Sequence, residues 1–136
     1  MVRRQLGRRR TQGYQVGLVM MGLFYVMAGV NHLVMPQVYL AVMPPYIPWA
    51  GTMVLASGVA EILGGIGVLM PDRLLFPSVR KFAAWGIVLM LAAFLPVHIY
   101  MVLHPEAFPR IPVWGLWVRL PLQLPLMVWA WWYTRD

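Results

Sequence analysis

Four apolar runs of about twenty residues, over roughly 16–35, 49–70, 82–103 and 113–133, take up nearly all of the 136-residue chain. A helix rises about 1.5 Å per residue, so a run of about 20 residues crosses a hydrocarbon core of about 30 Å. The composition agrees: 61% of residues are apolar and 11% charged, against about 45–50% and 25% in soluble domains. Backbone polar groups inside a bilayer must be satisfied within the segment that crosses it, which makes each run a helix. The expectation is an all-α membrane protein, a four-transmembrane-helix antiparallel bundle over 16–136 behind a basic tail over 1–15.

The charges set the expected orientation. Five of the eleven basic residues, Arg3, Arg4, Arg8, Arg9 and Arg10, crowd into the first ten positions with no aromatic side chain among them. That pattern fits a topology signal or contact with anionic lipid better than nucleic-acid binding. With both termini cytoplasmic, the tail, the loop between the second and third runs and the C-terminus hold nine Lys or Arg, while the two opposite loops hold only Arg110. The positive-inside rule is then satisfied, and the chain is expected to be a multi-pass protein of the cell's inner (plasma) membrane. The first run outlasts a signal-peptide core and no A-x-A-type site follows it, so it reads as a retained span.

Prolines mark the connections. The segment from Pro36 to Pro48 carries four prolines and no charge, and its Pro44-Pro45-Tyr46-Ile47-Pro48 stretch cannot form a regular helix. It is apolar enough to lie in the interface or to fold back over the bundle as a lid. A second proline-rich loop covers 104–112, Pro96 interrupts the third run, and Pro121 and Pro125 kink the fourth. Trp129, Trp131, Trp132 and Tyr133 read as an aromatic belt.

The functional signal is polar. Glu61 sits inside the second run, four residues after Ser57 and so on the same helical face, with Gly58 and Gly65 beside it for close helix approach. From helical rise, His32 lies about 6 Å, His98 about 7–8 Å, Arg119 about 9 Å, Ser57 about 12 Å and Glu61 about 18 Å from the outer ends of their runs. All four helices thus contribute polar groups, biased to the outer half. A charge near the bilayer centre costs at least about 2.5–3.5 kcal/mol, so Glu61 and Arg119 should face one another or a wet cavity. Arg119 and Gln123 share a face and form a cationic fork with an amide one turn on. Asn31 and His32 stand near the outer end of the first run.

Several chemistries are excluded or disfavoured. The chain has no cysteine, which removes a thiol relay, a disulfide and an iron–sulfur cluster. Its eleven methionines lack a Met-x-x-Met cluster and read as packing, so no metal site is assigned. His32 and His98 could hold a b-type haem only if both imidazoles faced one cavity across the porphyrin, and haem is the weaker reading.

Gly29-Val30-Asn31-His32-Leu33, Met43-Pro44-Pro45-Tyr46-Ile47-Pro48, Ser57-Gly58-Val59-Ala60-Glu61-Ile62-Leu63-Gly64-Gly65 and Arg119-Leu120-Pro121-Leu122-Gln123 occur in this order. Together they resemble the DoxX-like family of small four-helix membrane proteins. Where those relatives often carry Pro-x-Asn in the third span, this chain has Pro96-Val97-His98, which further weakens a paired-histidine haem. The resemblance implies a subunit similar to those of a quinone-linked oxidoreductase, a partner in oxidative-stress complexes, or an aid to membrane-protein assembly. The fold is also similar to quinone-coupled disulfide-forming enzymes. Without their cysteines, the shared activity would be quinone or lipid binding.

Two functions follow as expectations. One is a redox accessory subunit that binds a quinone or other small ligand, with His32, Asn31, Ser57, His98, Arg119 and Gln123 as ligand-binding groups and Glu61 as the catalytic proton carrier. Its partners would be membrane lipids, a second copy of the chain or a membrane redox protein. The other is a non-catalytic assembly or lipid-binding protein in which Glu61 and Arg119 form a structural ion pair. A transporter is a minor third reading.

Overall fold

The computed structural model describes residues 12–71, 74–75 and 77–135. The Arg-rich tail lies outside the described residues, as do Asp72 and Arg73. Every regular element among the described residues is helical. The order is α1 Gln12–Val34, α2 Pro36–Leu40, α3 Ala50–Leu69, α4 Val79–Leu103, a 3₁₀ turn Pro105–Ala107, α5 Val113–Trp132 and a closing 3₁₀ turn Tyr133–Arg135. α1, α3 and α4 are long and apolar enough to cross a membrane. α5 matches α3 at 20 residues, but Arg119, Gln123, Pro121, Pro125 and its tryptophans dilute its apolar character.

Three of the four long helices fall within three residues of the apolar runs at each end, and α1 differs by starting at Gln12. Two local features depart from expectation. α4 runs on through Pro96, because one missing N–H is tolerated where packing holds the rest of the helix, whereas Pro121 and Pro125 lie inside a continuous α5, as a helix kinked by prolines allows. The loop after α1 also begins with a short helix, α2, with Pro36 in its first turn, where a proline lacks only a hydrogen bond that no residue there can make.

The helices pack as neighbours in chain order. Against α1, α3 runs antiparallel, and the contact is backbone to backbone through two glycines on each side. A Cβ added at Gly65 would lie 2.6 Å from the Gly22 carbonyl oxygen, and one at Gly58 would lie 3.0 Å from that of Gly29 and 2.7 Å from the Cβ of His32. Gly64 faces Ile87 and Gly67 faces Ala83, which sets α4 antiparallel to α3. Arg80, in the first turn of α4, donates from Nε to the Val68 carbonyl (2.9 Å) and from Nη2 to the Met70 carbonyl (3.1 Å). It thereby satisfies carbonyls that the end of α3 leaves without helical partners.

Burial is arranged inside out. Met27, Leu63 and Leu89 are 71%, 64% and 66% exposed, whereas Glu61 and Gln123 are 4% and 3% exposed. An apolar exterior around buried polar groups is stable where the solvent is hydrocarbon. Leu18, Met21, Tyr25, Val68, Ala84, Ile87, Leu91, Ala130 and Tyr133 form one core at the end where α1 starts and α5 finishes. There Tyr133 stacks edge-on against Tyr14 at 4.9 Å and donates to the Tyr14 carbonyl (3.2 Å). A smaller cluster of Met101, Phe108 and Leu116 closes the other end. The space between these two clusters is not filled by side chains.

Candidate functional site

A cavity of about 590 Å³ lies between the two clusters, within the roughly 300–1,000 Å³ range of small-ligand sites. Phe24, Tyr25, Ala28 and His32 of α1 form one wall, and Arg119, Gln123 and Leu126 of α5 another. Between them α3 contributes Ser57, Ala60 and Glu61, and α4 contributes Phe94, Val97 and His98. Small side chains create the space. Ala28 lies between Tyr25 and His32 on one face of α1, and Ala60 precedes Glu61. Phe24, Met53 and Arg119 are exposed, which leaves the cavity open at its rim.

Glu61 and His32 are in direct polar contact. Nδ1 of His32 is 2.9 Å from Oε2 of Glu61 and also 2.9 Å from the carbonyl oxygen of Ala28, one turn back on its own helix. A ring nitrogen flanked by two oxygens carries a proton. That N–H is directed at the Ala28 carbonyl, and Oε2 of Glu61, although close, is left without a directed hydrogen bond. The contact with Glu61 is therefore electrostatic, and the carboxylate retains an open acceptor position.

The sequence expectation has Glu61 and Arg119 facing one another or a wet cavity; both line the cavity, and the side chain that Glu61 touches is His32. Helical depth placed His32 and Glu61 at different levels, yet they touch, because α1 ends about one turn short of the outer end of α3. Gly58 lies level with the Gly29–His32 turn and α1 continues only to Val34, so the first turn or so of α3 stands beyond α1. The step is occupied by α2 and its loop, whose Tyr39, Val42, Met43 and Ile47 line the cavity. The proline-rich segment does fold back over the bundle. Tyr39 stacks on the imidazole of His32 with centroids 3.5 Å apart, and Asn31 Nδ2 donates to the Tyr39 hydroxyl (2.7 Å).

Among the described residues, four buried polar side-chain atoms have no hydrogen-bond partner: the Tyr25 hydroxyl, Glu61 Oε2, His98 Nδ1 and Gln123 Nε2. All four belong to residues that line this one cavity. An unsatisfied buried polar group costs about 1–3 kcal/mol, so four around one space call for something polar within it. Six of the seven residues singled out from the sequence, His32, Ser57, Glu61, His98, Arg119 and Gln123, meet here, and Asn31 stands behind them holding Tyr39. The Ser57 hydroxyl donates to the Val54 carbonyl (2.8 Å), which leaves its oxygen only an accepting role. Sequence reasoning missed Tyr25 and Tyr39. Tyr25 carried a signal: a tyrosine in mid-run, three and seven residues before Ala28 and His32 and on their face. Among the described residues no three His, Cys, Asp or Glu are grouped as a metal site.

The fold and the cavity define an α-helical protein with three helices apolar enough to cross a membrane and a polar-lined chamber among them. The chain belongs to the family described as Domain of unknown function (DUF8561), whose model matches residues 21–134 and so takes in every cavity residue. No curated protein and no solved structure matches it.

Proposed function

We propose that this chain is a four-span integral membrane protein that binds a small amphipathic ligand in the α1–α3–α4–α5 cavity, as an accessory subunit of a membrane redox system. The observation that carries the binding reading is the convergence of four unpartnered polar atoms on one apolar-walled space. A ligand with an apolar body and oxygen groups at its edge satisfies both the walls and those atoms. Quinones have that chemistry and match the DoxX-like resemblance. In this role Glu61 and Tyr25 hold or move a proton at a ligand oxygen, and Gln123 and Arg119 donate to another.

The antiparallel packing supports four spans with both ends on one side. It sets Arg80, Lys81 and Arg135 at the level of the start of α1, and Arg110 at the opposite end. A purely structural Glu61–Arg119 bolt has less support, since Glu61 contacts His32 instead. The test is solvent extraction of the purified protein, with identification of co-purified small molecules, alongside quinone difference spectra of the wild type and Glu61→Gln. Co-purified quinone with a spectrum altered by the substitution is expected. A protein that carries no small molecule and gives no quinone-dependent spectrum would overturn the quinone reading.

A further inference from the structure

The polar groups around the cavity are divided by charge. On the α1 and α3 walls stand Glu61 and His32, a carboxylate and an imidazole already in contact at 2.9 Å, with the Tyr25 hydroxyl beside them. On the α4 and α5 walls stand Arg119, Gln123 and His98. Here the carboxylate is missing. Glu61 is held by His32 on another helix, and Glu106, the other acid among the described residues, is exposed in the 3₁₀ turn beyond α4. Gln123 is 3% exposed, shares a face of α5 with Arg119 one turn away, and its amide nitrogen has no acceptor.

We infer that the α4–α5 wall is a subsite for an anionic oxygen head group, carboxylate or phosphate, on an amphipathic ligand whose apolar part fills the cavity. The inference rests on the reading of the cavity as a ligand site and adds the chemistry of the head group. Arg119 supplies the charge and a fork of N–H donors, Gln123 Nε2 supplies a neutral donor one turn deeper, and His98 Nδ1 can supply a third. An anion there satisfies two of the four unpartnered atoms and neutralises a guanidinium for which the described residues provide no carboxylate. The Glu61 carboxylate repels an anion from the opposite wall, so the head group takes one orientation, and a hydroxyl elsewhere on the ligand finds its acceptor at Glu61 Oε2.

The experiment compares matched probes on the full chain in neutral-detergent micelles: oleate, methyl oleate, a phosphatidic acid, inorganic phosphate and a neutral short-chain quinone, each titrated against intrinsic tryptophan fluorescence. A charge-assisted contact predicts that oleate or phosphatidic acid binds about tenfold tighter than methyl oleate. Arg119→Gln should abolish that preference and Arg119→Lys should restore most of it. Binding by the amphiphiles but not by inorganic phosphate places the anion on a lipid-like body, and binding by inorganic phosphate alone would overturn the amphiphile. Equal binding of acid, ester and neutral quinone would overturn the anionic head group while preserving the cavity as a ligand site. Failure of every probe to bind would overturn both. The acid-to-ester ratio is read on the wild type, so it stands even if Arg119→Gln does not fold.

Discussion

Glu61 on α3 and His32 on α1 meet at 2.9 Å although they stand 29 positions apart and at different heights on their own helices. Their contact ties the polar wall of the cavity to the glycine-lined crossing that supports it. Both are at least nine-tenths buried, where loss of one partner strands the other without a counter-charge. His32→Leu should therefore lower the unfolding free energy by about 3 kcal/mol. The double change His32→Leu with Glu61→Leu should recover most of that loss. Denaturant unfolding in micelles, run as a double-mutant cycle, measures both.

The crossing itself gives a sharper contrast. Gly58→Val would drive a side chain against the His32 Cβ, 2.7 Å from the ideal Cβ position, and the Gly29 carbonyl at 3.0 Å. Neither is the far end of a flexible side chain, so the helices must separate and His32 must leave Glu61. Gly86, in α4, has no atom within 4 Å of an added Cβ. Gly86→Ala should stabilise by up to about 1 kcal/mol through helix propensity alone, while Gly58→Val should cost several times as much. Thermal unfolding of the two variants side by side is the measurement, and equal effects would contradict the backbone contact.

Tyr39 acts as the cover of the site. Its ring lies on the His32 imidazole at 3.5 Å and its hydroxyl accepts from Asn31. Tyr39→Ala removes both contacts and should make His32 react several-fold faster with diethyl pyrocarbonate, read by peptide mass spectrometry. Tyr39→Phe keeps the stacking and loses only the hydrogen bond, worth about 1 kcal/mol, so His32 should stay protected. If the two variants expose His32 equally, the hydrogen bond rather than the ring is the cover.

The long helices and the identity of most of the polar groups were legible in the sequence, because a charged or amide side chain in a twenty-residue apolar run has few places to go. The pairing was not. Depth along each run assumes that all runs start at a common plane, and α1 stops about one turn short of the outer end of α3. That offset depends on where the glycine pairs Gly22–Gly65 and Gly29–Gly58 lock the two helices, which is a tertiary register with no local signal. The same offset makes room for α2, and hence for Tyr39 over His32. Arg119 shows the opposite case: its place on the cavity was legible, and its separation from Glu61 was not, since the rotation of α5 about its axis is set by packing on α4.

The cavity exists because alanines stand where larger residues would close it, so filling it is the test that leaves every polar group in place. Ala28 faces the cavity between Tyr25 and His32, and its carbonyl, not its side chain, accepts from His32. Ala28→Leu adds three methylene-sized groups to that space without touching the hydrogen bond. In a packed core such a change costs about 1–3 kcal/mol of strain; in an open chamber it should cost less than about 1 kcal/mol and gain from apolar burial at about 0.8 kcal/mol per methylene. Ala28→Leu should hold or raise the unfolding temperature while it lowers the affinity for an amphipathic ligand by about tenfold or more. Thermal unfolding and ligand titration on the same preparation decide it. A clear loss of stability would mean that the space is filled, and unchanged affinity would mean that the ligand sits elsewhere.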